Sequence, residues 1–117
     1  MGAGFGSSNM TSPQRLMKLV SVKKSGLGTP TLAGSCASFL TVTDNGVGDY
    51  TINFNTLVFA QLPEVVASVT TNDRIVRVGT VAIGSVQILT EDLAGSAAEG
   101  DFHLMVVGSL ARDLLGP

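Results

Sequence analysis

The sequence predicts an all-β fold: an antiparallel β-sandwich, jelly-roll-like, of about seven strands. Three observations predict it. Apolar and polar residues alternate with period two in segment after segment. Turn-forming residues recur between those segments at roughly 8–12-residue intervals. No stretch before residue 108 has the three-to-four-residue spacing of an amphipathic helix.

Residues 1–14 are rich in Gly, Ser and Asn and show no periodicity, so they read as an N-terminal arm, flexible or ordered against a neighbour. Pro13 marks its boundary, a sandwich domain over 15–110 follows, and 111–117 form a C-terminal tail. The first strand is expected over 16–23, with Leu16, Lys18, Val20 and Val22 on one face and Met17, Leu19 and Ser21 on the other. Residues 25–30 are too rich in Gly to be regular. A second strand is expected over 36–43, followed by Asp44-Asn45-Gly46-Val47-Gly48-Asp49, the strongest turn signal in the chain. There Asn-Gly is expected to supply the positive φ angles of a tight hairpin. The strand over 50–55 alternates cleanly, with Tyr50, Ile52 and Phe54 inward and Thr51, Asn53 and Asn55 outward.

Pro63 opens a fourth strand over 64–70, closed by Asn72-Asp73. A fifth covers 74–81, setting Arg74, Val76 and Val78 against Ile75 and Arg77. Gly84 separates it from a sixth over 85–90, with Val86 and Ile88 on one side. Residues 91–100 read as a loop of small and acidic residues. The last strand, over 101–108, turns Phe102, Leu104 and Val106 inward and His103, Met105 and Val107 to the reverse. Met105 and Val107 are apolar where a solvated face is polar, so this strand is expected to be covered on both faces, by the chain or by another copy. Residues 109–115 suit one turn of helix or an apolar arm.

Composition narrows the function. The 117 residues are 44% hydrophobic and only 14% charged, against roughly 25% charged in ordinary soluble chains. So few charges favour contact between molecules, and much of the surface reads as interface. The net charge of −2, from seven basic and nine acidic residues, argues against nucleic acid, which needs clustered Lys and Arg. Lys18, Lys23 and Lys24 are the densest basic group, but Lys18 and Lys23 fall on opposite strand faces. No apolar run is long enough for a membrane helix, and the N-terminus has neither a signal-peptide nor a myristoylation pattern. No membrane partner is expected. Cys36 is the only cysteine, which excludes an internal disulfide. The Asn9-Met10-Thr11 sequon reads as chance, because nothing else places the chain in a secretory pathway.

Each candidate site lacks a partner it needs. One cysteine and one histidine, Cys36 and His103, fall short of a zinc set. A Cys–His nucleophile needs an electropositive setting, and Cys36 lies among Gly, Ser and Ala, so it reads as a small core or interface residue. His103 reads as a surface or trimer-axis residue. Asp44, Asn45 and Asp49 miss the calcium-loop spacing, and the hairpin turn explains them. Gly2, Gly4 and Gly6 precede no strand–helix unit and make no phosphate loop. The carboxylates Glu91, Asp92, Glu99 and Asp101 flank one loop; glycoside hydrolysis needs such a pair, but a solvated loop explains them without a cleft. No catalytic, metal-binding or cofactor-binding residue is therefore assigned, and the chain is not read as an enzyme.

The run from Val42 through Phe54 carries the pattern DNGxGDYTxxF, and Pro63-Glu64-Val65-Val66-Ala67-Ser68-Val69 carries PxVVAxV. The last strand, from Asp101 to Gly108, carries DFHxxVxG. Together, over roughly 16–110, these resemble a group of small structural proteins and tail-fibre end domains of tailed bacteriophages. The resemblance implies a β-sandwich that forms homotrimers on the virion, as a capsid decoration or a fibre element; it brings no catalytic or binding residues.

The expected function is thus a bacteriophage virion structural protein, a capsid decoration or cement subunit acting as a homotrimer. Its partners would be copies of itself and other virion proteins such as the major capsid protein, after folding in the cytoplasm of the host bacterium. A short chain with its own initiating Met suits a free-standing subunit. The alternative is a tail-fibre or receptor-binding head that recognises a cell-surface glycan. Such sites use exposed aromatic residues, and the only tyrosine, Tyr50, lies in the expected core.

Overall fold

The computed structural model describes residues 17–26, 30–34, 36–55 and 59–110. Eight strands and one short 3-10 turn make up the described chain. They are β1 (Met17–Ser25), β2 (Thr31–Ala33), the turn Ala37–Phe39, β3 (Leu40–Gly46), β4 (Asp49–Phe54), β5 (Glu64–Val69), β6 (Arg74–Val81), β7 (Ser85–Asp92) and β8 (Phe102–Ser109). All pairings are antiparallel. One four-stranded sheet has the order β2-β1-β8-β5 and the other β3-β4-β7-β6.

The all-β sandwich expected from the sequence is what forms. The finer jelly-roll arrangement finds no support in the strand order. β1–β2, β3–β4 and β6–β7 pair as hairpins within a sheet. The extra strand, β2, has only three residues and follows the Gly-rich stretch, where no alternation announces it. Residues 36–39, expected to open a strand, instead bend through the 3-10 turn. The N-terminal arm and the tail over 111–117 lie outside the described residues.

Inward residues of the two sheets form one core. Val20 and Val22 of β1 and Phe102, Leu104 and Val106 of β8 meet Leu40 of β3, Tyr50, Ile52 and Phe54 of β4 and Val86 and Ile88 of β7. Each such side chain contributes about 1.5–3 kcal/mol by leaving water. At one end of the sandwich Phe59 and Leu110 close the core through an isolated bridge, and the Phe59 ring meets Phe54 edge-on at 5.4 Å. The other end is closed differently, by a lysine.

The β3–β4 hairpin places the turn two residues beyond the Asn-Gly pair on which the sequence expectation centred it. Gly46 pairs with Asp49, so the turn centres on Val47-Gly48 and not on Asn45-Gly46. Positive φ falls on Gly46 (130°) and Gly48 (68°) and not on Asn45. A β-bulge between Asp44 and Gly46 absorbs the shift. Gly48 is required for a second reason: a Cβ there would stand 2.4 Å from the Thr90 carbonyl oxygen and 2.9 Å from the Ala98 nitrogen.

Candidate functional site

Alternation along β1 sends Lys18, Val20, Val22 and Lys24 to the core side, and Lys24 is fully buried there. Its stem continues the apolar row. Its ammonium ends 3.9 Å above the centre of the Tyr50 ring and 5.9 Å from that of Phe102, both within range of a cation–π attraction. It donates to the Gly100 carbonyl at 2.9 Å and lies 3.4 Å from Asp101 Oδ1. A buried charge must be paired and hydrogen-bonded to be tolerated, and these four groups together do that.

The same cluster fastens the loop over residues 93–101. The Tyr50 hydroxyl donates to the Glu99 carboxylate. Burial first, then that hydrogen bond and the Glu99 charge, push the Tyr50 pKa above the ordinary tyrosine range. Arg74 Nε donates to the Glu99 carbonyl at 2.6 Å, and the Asp101 amide donates to Thr71 Oγ1 at 2.9 Å. Thr90, buried, donates its hydroxyl to the Ala98 carbonyl at 2.6 Å. At the loop's start Asp92 accepts from the amides of Ala94 and Ser96, both at 2.9 Å. The end of the loop, residues 98–101, is therefore tied to β1, β4, β6 and β7, while residues 93–97 are exposed as composition leads one to expect. Glu91 belongs to β7 and pairs with Arg77 at 2.7 Å.

Chemically this cluster is a latch. The Lys24 ammonium is sealed from solvent, and the Tyr50 proton is held by Glu99. No substrate reaches either group without opening the loop. Sequence reasoning ended the first strand at Lys23 and so missed Lys24; its parity with Val20 and Val22 was the available signal.

The residues singled out in the sequence are not brought together into a reacting group. His103 stands exposed on the outer face of its sheet, between Lys23 and Ser68 in register. Cys36 packs against the core and lies 4.0 Å from the Leu19 carbonyl. Asp44 accepts from the Gly46 amide at 2.9 Å, and Asp49 accepts from Asn45 Nδ2 (3.2 Å) and Gln87 Nε2 (3.0 Å). Both carboxylates serve the hairpin. No group of three or more His, Cys, Asp or Glu that could hold a metal occurs among the described residues. Gly2, Gly4 and Gly6 lie outside them.

A second feature is a surface. On the outer face of the β2-β1-β8-β5 sheet, Leu19 is level with Val107, and Ser21 with Met105 and Val66. Met17 (65% exposed), Leu19 (53%), Val66 (62%) and Met105 (46%) make an apolar patch there that the described residues leave open. Half of the sequence expectation for Met105 and Val107 is met: the face is apolar, but the described part of the chain does not cover it. Comparison with protein-family models, with curated proteins and with solved structures returns no match.

Proposed function

We propose that this chain is a structural subunit that acts by assembly, as a homotrimeric decoration or cement protein on the capsid of a tailed bacteriophage. The observation that carries the assembly part is the open apolar patch of Met17, Leu19, Val66 and Met105 on an otherwise ordered sheet face. Contiguous exposed apolar surface of this kind marks contact with another molecule. The sparse charge of the sequence supports the same reading. The phage setting comes from the resemblance of the hairpin, the PxVVAxV strand and the final strand.

The glycan-binding alternative draws less support. Of the described aromatic residues Tyr50, Phe54, Phe59 and Phe102 are buried, and Lys18 caps the Phe39 ring at 5.3 Å. The assembly reading is tested by light scattering on the purified chain. A trimer or larger species is expected, and a monodisperse monomer at micromolar concentration overturns it. Antibody labelling of intact particles tests the setting. Labels over the head support decoration, labels confined to the tail move the protein to a fibre, and unlabelled particles remove the virion from the proposal.

A further inference from the structure

Among the described residues the sandwich has four edge strands: β2 and β5 in one sheet, β3 and β6 in the other. An edge presents unpaired N–H and C=O groups and is a template for another strand unless something blunts it. Three of the four are blunted. β2 has three residues. β3 carries Asp44 and Asn45 and the bulge between Asp44 and Gly46. β6 carries Arg74 and Arg77 and breaks register between Val78 and Val81. The fourth, β5, has none of these devices. It runs Glu64-Val65-Val66-Ala67-Ser68-Val69, with one charge at its start, no internal proline and an unbroken register against β8.

The free groups of β5 can be assigned. The Thr70 amide donates to the Asp101 carbonyl at 2.9 Å, next to the pair Val69–Phe102. In an antiparallel ladder hydrogen-bonded and non-hydrogen-bonded pairs alternate. Glu64, Val66 and Ser68 therefore bond β8, and the backbone groups of Val65, Ala67 and Val69 point to the open edge. No other strand among the described residues pairs with that edge. Val65 and Ala67, packed against the core, are only half-buried along it.

We infer that β5 pairs antiparallel with β5 of a second copy, across a twofold axis at Ala67. The segment is self-complementary in this register. Ala67 meets Ala67 of the second copy, and Val65 meets its Val69; each of these pairs exchanges two N–H···O bonds. On the outer face Val66 meets Ser68 and Glu64 meets Thr70, so no like charges oppose one another. The half-buried valines of each copy cover those of the other. The two sheets become one of twice the width, and their apolar outer faces become continuous. Identical surfaces meeting across a twofold are the commonest way that chains associate. A second copy is favoured over a foreign strand because this one segment supplies both halves of the match. The pairing deepens the assembly reading and rests on it, yet uses an edge and not the outer face. A trimer formed elsewhere would keep one such edge free on each subunit.

The test is sedimentation equilibrium of wild type, Ala67→Pro and the outer-face variant Leu19→Ser/Met105→Ser. Ala67→Pro removes an N–H that points to the open edge and breaks no bond to β8. Even-numbered species are expected for wild type. Twofold association of Ala67→Pro is expected to be at least roughly tenfold weaker with the thermal midpoint little changed, while the outer-face variant keeps it. A wild-type trimer with nothing larger, or an Ala67→Pro protein that associates like wild type, overturns the pairing and leaves the assembly reading standing. A wild-type monomer overturns both. If Ala67→Pro does not fold, oxidation of Val66→Cys/Ser68→Cys in a Cys36→Ser background decides. A disulfide between position 66 of one copy and 68 of the other supports the register, and its absence from the oxidised protein overturns it. Association only after another virion protein is added, with cross-links to that protein, overturns the second copy as the occupant.

Discussion

Lys24 is the residue on which the sandwich departs most from a plain apolar core, and its surroundings set two expectations. Lys24→Met keeps the stem and removes the ammonium, leaving the Gly100 carbonyl without its donor. The expected cost is about 1–3 kcal/mol, the penalty for an unsatisfied buried acceptor. Urea unfolding checks it. Asp101→Asn should cost less, because Asp101 is partly exposed and water screens its pairing with Lys24. An equal cost would mean that the ion pair, and not the carbonyl bond, holds the loop. Tyr50 sets the pH dependence. Its pKa is raised by burial and by Glu99, so the folded state holds the phenolic proton more tightly than the unfolded chain. That contribution is fully present below about pH 10 and is lost as pH rises from there toward the folded-state pKa. Tyr50→Phe should flatten this part of the alkaline decline; an unchanged profile would assign the decline to other groups. The sequence made half of this visible. Lys24 follows the inward parity of Val20 and Val22, but Glu99 and Asp101 come from 49 and 77 residues beyond their partners. No local pattern carries contacts of that range.

At the scale of elements, most strands were legible because each buries one face and period two is then imposed on the sequence. The expected span of β6 is the observed one, β5 ends one residue early, and β4 and β8 are displaced by one residue at both ends. Turn chemistry was legible only as a region. Asp44-Asn45-Gly46-Val47-Gly48-Asp49 offers two glycines with positive φ, and the turn takes the second because β7 and the Ala98 backbone press against Gly48. Nothing in the hairpin itself reveals that pressure. The consequence is measurable. Gly48→Ala should destabilise by about 3 kcal/mol, from the left-handed φ and the clash with the Thr90 and Ala98 backbone. Gly84→Ala, in the β6–β7 turn, meets nothing within 4 Å and should change stability by no more than about 0.5 kcal/mol. Thermal unfolding of the two variants compares them directly; similar losses would refute the backbone contact as the reason for Gly48.

For the whole molecule, the sandwich was legible from alternation and the strand order was not, since alternation gives each strand two faces but no neighbours. The outer patch was legible in part. Met105 and Val107 stand out within β8, whereas Met17, Leu19 and Val66 join them only once β1 and β5 take their places on either side. A surface assembled from three strands has a test that no single strand has. Replacing Leu19 and Met105 with lysine alters two exposed side chains, so the monomer fold should keep its stability within about 0.5 kcal/mol for each. Contact through the patch should be lost, because two charges would have to leave water without partners. Salt separates this contact from a polar one. Apolar association is strengthened by sulfate, which is excluded from protein surfaces, whereas ion pairs are screened. The wild-type assembly should therefore hold or tighten as sulfate is added, read by light scattering. Dissociation would show that charged groups carry the contact, and would transfer the interface from the outer sheet face to the charged edges at β3 and β6.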